Sequence, residues 1–266
     1  MCPSTWAELL ALRAAAGPQQ HQLAEHLLRH GLQGAVPLPT PAPQAAHRRL
    51  ADRQVAALLR LGLTLVPIDA LPAYFAAVRP MPVALFVRGC VQLLARRPAM
   101  AIVGARKAGA GGVRWAAALS LAQARAGELI VSGGAMGVDS AAHRGALAAQ
   151  GPTVVYMGTA IDRIYPRHNL ALFADIVQQG GALVSEHPPY AATFKSHHAL
   201  RNRLIAAHGE RLVVVEAALA SGTFGAVQYA RRLSRPVFVA PPEAGGERQG
   251  LEAIIARGWG QIWKEG

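Results

Sequence analysis

Short apolar runs recur along the chain at 63–68, 83–87, 100–104, 129–132, 154–157, 183–185, 212–215 and 237–240. The later ones are separated by stretches of helical length with one apolar face, at 112–125, 140–149, 170–178 and 226–233. Alternation of this kind predicts an α/β fold, because a helix-length crossover is what joins parallel strands that are covered on both faces. The expectation is a mostly parallel sheet with helices on both faces. In such a sheet ligands lie beyond the carboxyl ends of the strands, so the segment after each strand is where chemistry belongs.

Residues 1–34 read as short helices, with Leu23, Leu27 and Leu28 at helical spacing and Gly17-Pro18 as a break. Pro37, Pro39, Pro41 and Pro43 then predict a stiff extended linker. The expected division is a short N-terminal helical region with its linker over 1–43 and one α/β domain over 44–266. A length of 266 residues with 52% apolar and 16% charged residues excludes a disordered or acidic scaffold. Cys2 and Cys90 are too few for a disulfide framework or a cysteine zinc site, which points to a reducing, cytoplasmic setting. No run approaches the roughly 18 unbroken apolar residues of a membrane span. Glu8 and Arg13 stand where a signal peptide would be apolar, so a soluble, unexported chain without a membrane partner is expected.

The net charge of +12 comes from 27 basic against 15 acidic residues, and 24 of the basic residues are Arg. The planar guanidinium suits bidentate phosphate contact. A general Arg- and Ala-rich composition would give the same balance, so the placement of the cations has to decide. After the run at 100–103 comes Gly104-Ala105-Arg106-Lys107-Ala108-Gly109-Ala110-Gly111-Gly112, then a helix. Glycines for a tight turn, a helix N-terminus and two cations meet the needs of a phosphate site. The spacing is neither the dinucleotide fingerprint nor the P-loop, and glycines serving only a sharp turn remain the plain alternative. The next run ends in Ser132-Gly133-Gly134-Ala135-Met136-Gly137-Val138-Asp139. No carboxylate stands at that strand end to hold a ribose, which weighs against a dinucleotide, and a second anion cradle facing the first is expected. Ser132, Asp139 and His143 lack the Gly-x-Ser-x-Gly elbow of a hydrolase; Asp139 is expected to cap the helix carrying His143. Lys195-Ser196-His197-His198-Ala199-Leu200-Arg201-Asn202-Arg203 is either a solvated basic helix face or a grip on a nucleic-acid backbone with an imidazole for stacking. His26 and His30, four apart, read as a surface pair, since no third metal ligand is evident.

Phe86-Val87-Arg88-Gly89, Ile102-Val103-Gly104-Ala105-Arg106, Ser132-Gly133 through Asp139, and Ala142-His143 belong to one longer pattern. It continues through Ile161-Asp162-Arg163-Ile164-Tyr165-Pro166, Asn169, Ser185-Glu186, Arg201-Asn202-Arg203-Leu204-Ile205, Val215-Glu216-Ala217, Ser221-Gly222 and Gly250. In this order, from about residue 60 to 263, the chain resembles the DNA-processing protein DprA (Smf) family. The resemblance implies an extended Rossmann-like domain, usually dimeric. Its implied role is to bind single-stranded DNA without sequence preference, protect incoming DNA and help load the RecA recombinase in natural transformation. It implies no enzymatic activity, cofactor or metal. The family's phosphate pocket maps onto Gly104, Arg106, Ser132, Gly133, Lys195, Arg201 and Arg203; Lys107, Gly134, His198 and Asn202 complete the expected DNA-binding set.

Departures are visible. His198-Ala199 stands where the family commonly has Phe-Pro, which exchanges an aromatic platform for an imidazole of smaller area. Ala226-Val227 stands for a Thr-Ala pair, Pro241-Pro242 for Pro-Gly, and Ala105 for Ser. The alternatives are a divergent Rossmann-like nucleotide-binding or protein-interaction module, or a phosphoribohydrolase-type enzyme. Against the enzyme, residues 216–223 lack the Pro-Gly-Gly-x-Gly-Thr loop and its downstream carboxylate.

Overall fold

The computed structural model describes residues 2–32, 41–219 and 221–264. Pro37 and Pro39 of the expected linker lie outside the described residues. The chain opens with three helices, α1 (Pro3–Ala16), α2 (Gln20–His30) and α3 (Ala45–Arg60). Two strands follow, β1 (Thr64–Pro67) and β2 (Ala84–Gly89). Then come β3 (Ala99–Val103), α4 (Ala110–Arg125), β4 (Leu129–Ser132), α5 (Val138–Ala148), β5 (Thr153–Ala160), α6 (Leu170–Gln178) and β6 (Ala182–His187). The remainder is α7 (Lys195–Leu200), α8 (Asn202–His208), β7 (Arg211–Val214), α9 (Thr223–Arg232), β8 (Val237–Val239), α10 (Gln249–Ala256) and β9 (Gln261–Ile262).

The nine strands form one sheet in the order β1-β2-β6-β5-β4-β3-β7-β8-β9. From β6 to β9 every pairing is parallel, whereas β2 pairs antiparallel with both β1 and β6. The stretch β5-β4-β3-β7-β8-β9 has the Rossmann order, extended at one end by β6, β2 and β1. The chain leaves β3 toward β4 on one side and returns as β7 on the other, so the strand order reverses between β3 and β7. Right-handed crossovers in opposite directions place their helices on opposite faces. Accordingly α4 packs with α5, and α5 with α6, while α8 packs with α9. The central strands are buried throughout, as parallel strands covered on both faces must be.

The N-terminal helices share the same core. Leu9, Leu10, Leu23, Leu27 and Leu58 are buried in the cluster that continues into the sheet. The expected boundary near residue 44 falls between α2 and α3, and α1 packs against α3. Arg13 of α1 donates to the Glu186 carbonyl at 3.2 Å, and Gln54 of α3 to the Pro189 carbonyl at 3.1 Å. Helices α1 and α3 are thereby fixed to the end of β6 and to the segment that joins it to α7.

Candidate nucleic-acid interface

The two glycine-rich loops meet at the carboxyl ends of β3 and β4. The Val138 N–H donates to the Ala105 carbonyl at 3.2 Å, and a Cβ on Gly104 would stand 2.7 Å from the Val138 side chain. Gly137, at φ +76°, would bring a Cβ within 2.3 Å of the Ala105 oxygen. Only glycine allows this approach. The cap expected of Asp139 is not made: Gly137 caps α5, and the Asp139 carboxylate instead accepts from the Ala135 N–H at 3.2 Å, closing its own loop. Asn169 locks that loop, donating to the Gly134 carbonyl at 2.9 Å.

Beside the loops lies a cleft of about 400 Å³ that adjoins a larger groove of about 910 Å³. Gly104, Arg106, Lys195, His198, Arg201 and Asn202 all line the first, so the structure joins the β3 loop to the basic segment around α7. Gly133 lines the wall beneath Arg201. Arg106 and Lys195 are exposed cations at the rim. Asn202 donates to the Gly222 carbonyl at 3.1 Å, tying the cleft to the loop before α9.

Arg201 is the buried cation of the cleft, only 6% exposed. Its guanidinium rests on Gly133, where a Cβ would fall 1.4 Å from Nη1. Among the described residues, its Nε and Nη1 are buried without a hydrogen-bond partner. Burial lowers the Arg201 pKa to about 10, with Asp139 opposing the shift and Arg106 adding to it. Burial likewise raises that of Asp139, against the pull of Arg201. The cation therefore stays charged at neutral pH, with two buried donors unspent on a side chain that lines the cleft.

His198 is half-buried against β5, where a Cβ on Gly158 would stand 2.6 Å from its Nδ1. Burial, then the cations Arg201 and Arg106 and the neighbouring His197, lower its pKa to about 4, so the ring is neutral at pH 7. Its ring centre lies 5.4 Å from that of Tyr165. The larger groove is lined by Arg163, Tyr165, Arg167 and Phe194 together with Arg106, Lys195 and His198. Tyr165 and Phe194 are 55% and 59% exposed. Sequence reasoning did not assign these four groove residues, although Tyr165 and Arg163 sit in a quoted segment. Large aromatic rings outside any apolar periodicity were the available signal.

Other expected site residues face elsewhere. Arg203 is 0% exposed and spends its guanidinium inside the protein. It donates to both Glu186 oxygens at 2.6 and 2.7 Å, to the Pro80 carbonyl at 2.8 Å and to the Leu200 carbonyl at 3.0 Å. It is a strut between β6 and α8, away from the cleft. Ser132 is buried and donates to the Ile102 carbonyl at 2.6 Å, joining β4 to β3. His143 is bonded at Nδ1 to the Thr153 hydroxyl at 2.8 Å, so Ser132, Asp139 and His143 form no relay. Gly134, at φ +66°, turns the chain beneath Phe173. Lys107 is exposed and lines neither cleft nor groove. His26 and His30 have ring centres 4.9 Å apart on α2.

Glu216, just after β7, occupies the place where a Rossmann fold receives a phosphate. It is 1% exposed and accepts from the Gly109 N–H at the start of α4 with both oxygens, at 3.0 and 3.2 Å. The Glu247 N–H adds a third contact at 3.3 Å. The anion at this helix N-terminus is the chain's own carboxylate.

Comparison with known proteins agrees with this arrangement. The chain is 34% identical over 213 residues to DNA processing protein DprA of Bacillus subtilis, covering 76% of this chain and 71% of that one. It is 36% identical over 183 residues to protein Smf of Escherichia coli, covering 68% of this chain and 49% of the relative, about half its length. DNA processing protein A of Helicobacter pylori, described for its single-stranded DNA binding mode, superposes with a TM-score of 0.69 at 27% identity, over 76% of this chain and 91% of that one. DprA of Streptococcus pneumoniae gives 0.68 at 26% identity, over 97% and 89%. With residues 65–265 matching its pattern, the chain belongs to the DNA recombination-mediator protein A family.

Proposed function

We propose that this chain binds single-stranded DNA without regard to base sequence, through the cleft and groove at the carboxyl ends of the central strands. It is a binding protein rather than an enzyme, acts in the cytoplasm as a homodimer, protects incoming DNA and helps load the RecA recombinase in natural transformation. The observation that carries the reading is Arg201. A buried guanidinium with unspent donors, laid on Gly133 and flanked by Arg106 and Lys195, fits a phosphodiester oxygen. Such contacts hold the backbone and read no base. The exposed rings of Tyr165 and Phe194 offer faces on which any base can stack.

A nucleotide-binding or phosphoribohydrolase-type reading has less support, because Glu216 fills the α4 N-terminus where a nucleotide phosphate would dock. The test is the anisotropy of fluorescent oligo-dT and of the matching duplex across a salt series. Wild type is expected to prefer the single strand. Lys195→Ala and Arg106→Ala should each reduce the log–log salt slope by about 0.7. Unchanged binding in both variants would overturn the assignment of the site.

A further inference from the structure

We propose that the single strand held in the groove continues onto the N-terminal helices, crossing Tyr190 and following Arg53 and Arg49 along α3. This rests on the single-stranded DNA reading above and extends its footprint to a surface outside the cleft. The groove is bounded by Phe194 and Lys195 on one side and Arg163 on the other. Tyr190, four residues before Phe194, is tied back to this wall: its N–H donates to the carboxylate of Asp162, the neighbour of Arg163, at 3.2 Å. Tyr190 has φ +65°, a left-handed conformation that non-glycine residues rarely adopt. Held there, its ring is 47% exposed rather than packed in the core.

Across the Tyr190 ring lies α3. The Arg53 guanidinium carbon is 5.3 Å from the ring centre, a cation–π contact. Arg49 stands one helical turn earlier on the same exposed face. Neither enters an ion pair among the described residues, and exposed Asp52 pairs with neither. The adjoining buried face of α3 is anchored, since Gln54 donates to the Pro189 carbonyl, immediately before Tyr190. The groove wall, the aromatic ring and the two guanidinium groups thus belong to one connected surface. Alternating rings and unneutralised cations are what a flexible polyanion with stackable bases requires.

The test uses oligo-dT of about 5 and about 25 nucleotides, one near the lower bound and one above the upper bound of the usual single-strand site of about 4–16 nucleotides. The double variant Arg49→Glu/Arg53→Glu is expected to lose about 10-fold or more in affinity for the long oligonucleotide, with a salt slope lower by about 1.4, and to bind the short one within about 2-fold of wild type. Tyr190→Ala should weaken the long oligonucleotide alone, and Tyr190→Phe should restore it. Arg106→Ala/Lys195→Ala serves as the groove control and should weaken both lengths. If the control weakens both while the α3 and Tyr190 variants bind the long oligonucleotide like wild type, the extended track is wrong and the groove stands. A wild-type chain that binds neither length overturns both readings.

Discussion

Glu216→Gln tests whether the carboxylate at the start of α4 is a structural keystone of the fold. The substitution keeps the volume of the side chain but replaces one acceptor oxygen with a donor. In the wild type both oxygens accept from Gly109, and one also accepts from Glu247. The amide must therefore either point its NH2 at backbone N–H groups or leave one of them unsatisfied. A hydrogen bond to a charged group contributes about 1.5–3 kcal/mol, and the loss of negative charge at the helix N-terminus adds about 0.3–1 kcal/mol. Relief of the carboxylate's own desolvation works in the other direction. The expected destabilisation is about 2–4 kcal/mol, which lowers Tm by about 4–8 °C for a chain of this size. Gly112→Ala supplies an independent route to the same defect, because its Cβ would stand 1.9 Å from Glu216 Oε1 and push the carboxylate off its donors. The assay is urea and thermal unfolding of wild type and both variants. Glu216→Gln within about 0.5 kcal/mol of wild type would refute the reasoning.

Three further outcomes are expected. Arg203→Ala removes the buried guanidinium that pairs with the partly buried Glu186 and should cost about 3–5 kcal/mol in urea unfolding, whereas Lys195→Ala, exposed and without an ion pair among the described residues, should stay within about 0.5 kcal/mol. Tyr165→Ala should weaken oligo-dT by about 5- to 150-fold with an unchanged salt slope, and Tyr165→Phe should bind like wild type; a changed slope would mean that the ring acts through the neighbouring cations. The pKa values of His143, His187 and His208 are held down at about 3, chiefly by burial, against 6.5 for the free side chain. The unfolded chain therefore binds more protons between these values, and the urea midpoint should fall as pH is lowered through 6.5 and level off only near 3. The raised pKa of Asp139 opposes this trend with one group against three, so a midpoint independent of pH over that range would show that the histidines are not buried as neutral rings.

The central strands of the sheet were legible because burial on both faces makes each one a continuous apolar run, as in 129–132 and 212–215, whereas the exposed edge strand β9 left no such run. The antiparallel pairing of β2 was not, since an apolar run carries no record of its direction. Nor was α3, whose many charges conceal the apolar positions Val55 and Leu58. Glycine loops and cations located the site, yet sequence could not distinguish Arg201 from Arg203. The two are separated by one residue, and because Arg201 ends α7 while Arg203 lies in α8, one faces the cleft and the other the core. Spacing told which segment carries the cations; only packing against Glu186 told which cation is consumed.

That distinction explains how a Rossmann-ordered sheet can favour a polymer over a nucleotide. At the carboxyl ends of β3, β4 and β7 the fold presents two places for an anion. The first, at the α4 N-terminus, is filled by Glu216 and enclosed by glycines, since a Cβ on Gly246 would fall 2.2 Å from the carboxylate. The second, over Gly133, is lined by side chains, and its cation retains unspent donors. A helix N-terminus offers a compact pocket to a terminal phosphate. A guanidinium at the floor of an open cleft, continuous with an aromatic groove, instead leaves room for chain on either side of the bound phosphate. Under the proposed function, closing the first place and opening the second converts a site for small nucleotides into a track for a strand.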